Sequence, residues 1–236
     1  MHVLIVSATG FEAAALQREW PAGEYPMGLR VEYLATGVGP LATGVALTER
    51  CCAGARPDLL VNVGVAGALD RALALGQVVN VASDYLGDLG ARDADGSFLD
   101  VTRLGLADPD APPYRAGRLY ATGLSADTPG DIGGVPAVRG VTVSTAHGDA
   151  AGIARFRART DAQVETMEGA AFFLVALRQN LPCVQLRGIS NYVEPRDRGK
   201  WRLADAIEGV SAAASALLSA LPGALAARSA RRQLGR

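Results

Sequence analysis

The 236-residue sequence has little of what builds cross-links or metal centres: three cysteines, Cys51, Cys52 and Cys183, and two histidines, His2 and His147. An odd cysteine count, with one adjacent pair and no C-x-x-C, argues against a disulfide frame and for reduced thiols in a cytoplasmic setting. Two histidines far apart in the chain give no zinc-ligand spacing, so no metal is expected. An excess of either charge is also missing, since 23 Lys+Arg against 24 Asp+Glu leave a net charge of −1. Without a basic block in its body the chain lacks the electrostatic footprint of a nucleic-acid binder. Residues 1–8 are apolar but carry no basic lead-in, and an acid follows at Glu12, so they read as a strand and not a secretory signal. The Ala/Leu-rich stretch 210–227 is broken by Ser211, Ser215, Ser219 and Pro222. It falls short of the roughly 20 uninterrupted apolar residues that span a bilayer, and no membrane partner is expected.

What is present is the composition of an ordinary globular protein, 49% hydrophobic and 20% charged. Apolar, β-branched runs alternate with helical patterns, the signature of an α/β fold with a mixed central β-sheet flanked by helices. Strands are predicted over 2–7, 29–35, 59–65, 78–82, 141–144 and 183–189, and helices over 12–20, 41–54, 148–157, 168–179 and 203–221. One domain over 1–227 is expected, followed by a basic, frayed tail over 228–236. The pattern breaks over 85–114 into Gly, Asp and Pro, which predicts a functional loop or an excursion to a partner subunit. Its acids do not follow the spacing of a calcium loop. The Gly/Pro-rich segment 127–140 reads as a surface connection.

Three familiar motifs fail. Gly37-Val38-Gly39 follows a strand, but the third glycine falls at Gly44, too late for a dinucleotide fingerprint. The Gly39 to Gly44 spacing matches a P-loop, yet Val45 stands where a lysine must meet the phosphates. Ser190 lacks the second glycine of a nucleophile elbow. No cofactor is therefore expected. The remaining polar residues gather where open α/β sheets bind ligands, at the carboxyl ends of strands. They lie in 7–12, in a small-residue turn at 64–68, in 165–171 opening a nearly all-apolar helix, and in 187–191 closing the last predicted strand.

Met167-Glu168-Gly169-Ala170-Ala171, followed by Arg187-Gly188-Ile189-Ser190-Asn191, resembles the nucleoside phosphorylase and nucleosidase superfamily. The resemblance runs from the first strand to the last helix. The continuation from Tyr192 through Glu194, Pro195, Arg196, Asp197 and Lys200 to Trp201 is similar to its futalosine hydrolases, which release hypoxanthine in menaquinone biosynthesis. The resemblance implies a small nucleoside substrate, water as nucleophile, and a homo-oligomer whose pockets a neighbouring chain completes.

It also implies roles. Asn191 matches the residue that meets the leaving base, an Asp in adenine-cleaving relatives and an Asn where the base is a 6-oxopurine. An amide both accepts and donates, which suits that edge. Glu168 matches the acid that holds the ribose hydroxyls, and Met167 would pack on the sugar. Glu12 would take a proton from the attacking water, Arg187 would position that water, and Arg196 would meet a carboxylate on the 5′ extension. Each has a structural alternative: an Asx turn for Asn191, helix-dipole or capping roles for Glu168 and Glu12, core packing for Met167, an ion pair for Arg187, and a solvated loop for Arg196. Val65 stands where adenine-cleaving relatives carry a serine, and His147 lies in a loop that contacts the base in the family. An adenine nucleosidase and a silent nucleoside sensor remain alternatives.

Overall fold

The structure, a computed structural model, describes residues 1–122 and 134–234. Eleven strands and five α-helices follow one another as β1 (His2–Ser7), α1 (Gly10–Glu19), β2 (Gly23–Tyr25), β3 (Leu29–Ala35), α2 (Pro40–Cys52), β4 (Leu59–Ala68), β5 (Val78–Asp84), β6 (Gly90–Arg92), β7 (Phe98–Asp100), β8 (Leu119–Tyr120), β9 (Ala137–Thr142), α3 (Ala150–Arg157), β10 (Val164–Thr166), α4 (Gly169–Arg178), β11 (Cys183–Tyr192) and α5 (Leu203–Leu234). The main sheet runs β10-β9-β5-β11-β4-β1-β3-β2, with β8 on β5. β1, β3, β4 and β11 are parallel neighbours, whereas β5 meets β11 antiparallel. β10 also pairs with the far end of β4, which closes β10, β9, β5, β11 and β4 into a ring. This is the expected mixed sheet covered by helices.

The long apolar strands form because both their faces are covered. All of β1 is buried, and Leu59, Leu60, Val61 and Val63 of β4 have almost no exposed surface. On one face α1 and α5 close over Val3, Ile5, Val61, Val184 and Leu186. On the other, Phe172, Phe173 and Ala176 of α4 pack on Leu4, Leu60 and Val81.

Several expected boundaries move. Residues 64–68 are strand and not turn, because β4 continues to Ala68. Its small residues are there for close packing: a Cβ on Gly64 would stand 2.7 Å from Glu12 Oε1, and one on Gly67 would stand 3.0 Å from Val193 Cγ2. β11 likewise continues past Ile189 to Tyr192, with a bulge between Ile189 and Asn191. The segment 85–114 contains a hairpin, β6 and β7. Of the 127–140 connection, 127–133 lies outside the described residues and 137–140 is already β9.

α5 runs to Leu234 and so enters the segment expected as a frayed tail. Contrary to the reading of its serines as interruptions, Leu203–Leu221 is long and apolar enough by composition to cross a membrane, with a mean hydropathy of 1.3. In the fold Ala206, Val210, Ala214, Leu217 and Leu218 of this stretch are buried. The helix sits so close to β11 that a Cβ on Gly188 would collide with the Ala206 carbonyl.

Candidate active site

The carboxyl ends of β1, β4, β10 and β11 open onto one cavity of about 910 Å³. Glu12, Met167, Glu168, Asn191 and Arg196 all line it, together with Thr9, Val65, Gly67, His147, Glu165 and Trp201. Residues from both ends of the chain thus meet at one place, as ligand sites in open α/β sheets do.

Glu12 occupies the first turn of α1. Its Oε2 accepts from the backbone and hydroxyl of Thr9, both at 3.1 Å, and its Oε1 accepts from the Val65 amide at 3.2 Å. The capping role and the cavity-facing role are one arrangement: the hydrogen bonds that start the helix also aim the carboxylate. The Val65 amide, which needs no serine side chain, supplies one of those donors. Ser7 donates instead to the Thr9 carbonyl at 2.8 Å.

Glu168 stands at the start of α4 and is buried. Its Oε1 accepts from the Gly39 amide at 3.0 Å. Gly39 has φ +96°, a backbone conformation open to glycine, and that turn directs its N–H at Glu168. The Gly37-Val38-Gly39 motif, which fits no cofactor fingerprint, therefore serves the carboxylate. Burial pushes the Glu168 carboxyl above the usual range, against the lowering pull of Arg187.

Arg187 lies behind the cavity wall, 2% exposed. Nη1 donates to the Leu186 carbonyl at 3.2 Å, and Nε has no partner among the described residues. Burial lowers its pKa, while Glu168, Glu12 and Asp84 oppose that from around it. A Cβ on Gly64 would meet both Glu12 Oε1 and, at 3.4 Å, Arg187 Nη1, so the two side chains converge on that glycine. Arg187 is the positive centre among acids, and its field makes two carboxylates tolerable in one cavity.

Asn191 has its amide oriented by its neighbours. Oδ1 accepts from the Ser190 hydroxyl at 2.8 Å and Nδ2 donates to the Tyr192 carbonyl at 3.0 Å. One lone pair and one N–H remain for a ligand. At the mouth, Arg71 pairs with Glu194 at 2.5 Å, Lys200 with Asp197 at 3.7 Å and Arg202 with Asp205 at 3.9 Å. Arg196 has no acidic partner among the described residues and lies 5.2 Å from the Trp201 ring centroid.

Two features of the site escape sequence reasoning: the pairing of Glu165 with His147, two residues that it places separately, and the burial of Asp84. Glu165 accepts from His147, whose Nδ1 lies 2.5 Å from Oε2 and whose backbone N–H lies 3.0 Å from Oε1. Asp84 lies fully buried beneath α4, where burial raises its pKa to about 6. No group of side chains suited to a metal ion occurs among the described residues.

Residues 3–226 match the model of the phosphorylase superfamily. The chain belongs to that superfamily. A futalosine hydrolase of Streptomyces coelicolor is 34% identical over 94% of this chain and 97% of its own length. One from Thermus thermophilus is 30% identical with the same coverage. In fold, the chain is similar to the 5′-methylthioadenosine/S-adenosylhomocysteine nucleosidase of Neisseria meningitidis, with a TM-score of 0.73, 20% identity and coverage of 92% and 98%. It is also similar to the futalosine hydrolase of Helicobacter pylori, with a TM-score of 0.70, 14% identity and coverage of 93% and 97%. Membership makes the chain an enzyme of glycosidic-bond cleavage.

Proposed function

We propose that this member of the superfamily hydrolyses the N-glycosidic bond of futalosine, releasing hypoxanthine and dehypoxanthinylfutalosine. The observation that carries the reading is Asn191: an amide with one acceptor and one donor left over faces the same cavity as Glu12. Adjacent C=O and N–H groups of a 6-oxopurine complement that pair. An amide can also hold adenine, and the similarity to futalosine hydrolases at 34% and 30% identity supports the oxopurine.

Cleavage passes through a ribosyl cation, so the site must stabilise positive charge on the sugar and a departing base. Glu168, buried and anchored by Gly39, accepts the ribose hydroxyls and places its charge beside that cation. Glu12 takes the proton of the incoming water. Two carboxylates facing one cavity repel a phosphate dianion, which favours water over phosphate as nucleophile. Arg196, unpaired at the mouth, meets the carboxylate on the 5′ extension of the substrate.

Incubation with futalosine, with and without phosphate, followed by chromatography of the products tests the reading. Hypoxanthine is expected at the same rate in both. Adenine released from an adenine nucleoside in preference, or a sugar phosphate formed only with phosphate, would reject it.

A further inference from the structure

Glu165 of β10 and Asn191 of β11 both pair with Gly67 of β4. Directly paired residues carry their side chains on one face of a sheet. The row therefore reads carboxylate, bare backbone, amide, and a Cβ on Gly67 would lie 3.3 Å from Asn191 Nδ2. All three residues line the cavity. Val193 Cγ2 would stand 3.0 Å from that Cβ, so the bare backbone is there for packing, and Asn191 and the Glu165–His147 pair reach the cavity from either side of Gly67.

His147 lines the cavity beside Glu165. Its ring stacks on Phe156, with centroids 4.2 Å apart at 28°. Nδ1 is committed to Glu165 at 2.5 Å, and the side chain is 19% exposed. Among the described residues Nε2 has no partner, so it is the ring nitrogen left for a ligand. The arrangement is that of an acid–base histidine oriented by a carboxylate.

The cavity has a chemical need for such a group. An amide donates a hydrogen bond but keeps its proton, so Asn191 alone cannot neutralise a base that departs with the electron pair of the broken bond. We propose that His147 is the acid for the leaving base, delivering its Nε2 proton to a ring nitrogen of the purine as the C1′–N bond breaks. This rests on the reading of the cavity as an oxopurine nucleosidase site. The bonding electrons stay on the purine, which takes the proton from Nε2. Water forms the new C1′–O bond and gives its proton to Glu12. Loss of that proton from Glu12 to solvent, and uptake of one by His147, restore the enzyme.

The test compares futalosine with its N7-methylated derivative, whose purine is already cationic and leaves without a proton. In His147→Gln, kcat on futalosine is expected to fall by about 10²- to 10⁴-fold, while kcat on the methylated substrate changes less than about fivefold. Retention of the methylated activity shows that the variant is folded. Equal loss on both substrates, or none on either, would overturn the proposal. Glu165→Gln, expected to show the same selectivity, takes over as the deciding variant if His147→Gln does not fold. Failure of the wild-type enzyme to release hypoxanthine from futalosine would instead overturn the substrate reading, and the proposal with it.

Discussion

Replacing Asp84 by Asn is expected to stabilise the protein above pH 6, although it removes a buried, hydrogen-bonded charge. Asp84 has no exposed surface. Its carboxylate accepts from Thr142 Oγ1 at 2.9 Å, from the Tyr85 amide at 2.7 Å and from Gln185 Nε2 at 3.4 Å. These bonds and the field of Arg187 favour the charge, but burial outweighs them and lifts the pKa from 3.8 to about 6. A group whose folded pKa is raised contributes stability below its unfolded pKa and loses that contribution as pH rises through the folded one. The window therefore runs from about pH 4 to about pH 6. At about 1.4 kcal/mol per pH unit, the ionised group costs the fold about 3 kcal/mol above it. An Asn at 84 keeps an oxygen for Thr142 and Tyr85, and its new N–H₂ faces Gln185. The Oε1 of Gln185 has no partner among the described residues, so a turn of that amide satisfies both groups. Urea unfolding from pH 4 to pH 8 is the assay. The gap between variant and wild type should open across the window and level off above it, with an upper limit near 3 kcal/mol. A variant less stable than wild type by the same amount at every pH would refute the reasoning.

Glu12→Gln should lower kcat by about 10²- to 10⁴-fold with hypoxanthine affinity retained, because it removes the acceptor of the water proton and, of the helix-start bonds, only those that its amide nitrogen cannot accept; equal losses in binding and turnover would show a structural role. Arg196→Ala should raise KM for futalosine about tenfold, a loss of about 1.4 kcal/mol, and leave a nucleoside without the 5′ carboxylate unaffected; equal effects on both substrates would remove Arg196 from the substrate. Gly169→Ala should lose about 1–3 kcal/mol in thermal or urea unfolding, since its Cβ would collide with Asp84 Oδ2 and stand 2.6 Å from Gln185 Oε1; wild-type stability would contradict this account of the start of α4.

β1 was legible as a continuous apolar run whose two faces are both buried, and β3 as a Leu/Val/Tyr-rich run although Arg30 and Ala35 are exposed; both match their predicted bounds residue for residue. β4 runs further than predicted because Gly and Ala signal turns locally, while here they let neighbouring chains approach, and β11 runs on through Ser190, Asn191 and Tyr192 because it keeps pairing with the extended β4. β10 has three residues, too few for a periodicity. Glu12, Met167, Glu168, Asn191 and Arg196 were legible through their motifs, and they share one cavity. Arg187 sits behind that cavity because a lone charge in an apolar strand takes its place from carboxylates brought by other elements. The pairing of Glu165 with His147 and the burial of Asp84 gave no local signal, since the partners that reveal them stand 18, 58 and 101 residues away. Only the closing of the ring by β10 brings Glu165 beside Gly67.

The central claim is that an oxopurine lies in the cavity against Asn191, with Glu12 on the sugar side. A crystal structure of the protein soaked with hypoxanthine tests it most directly. The account predicts the heterocycle between Asn191 and His147, its N–H and carbonyl on the Asn191 amide and its opposite edge toward His147. Hypoxanthine bound elsewhere in the cavity, or with Asn191 still bonded only to Ser190 and Tyr192, would contradict it.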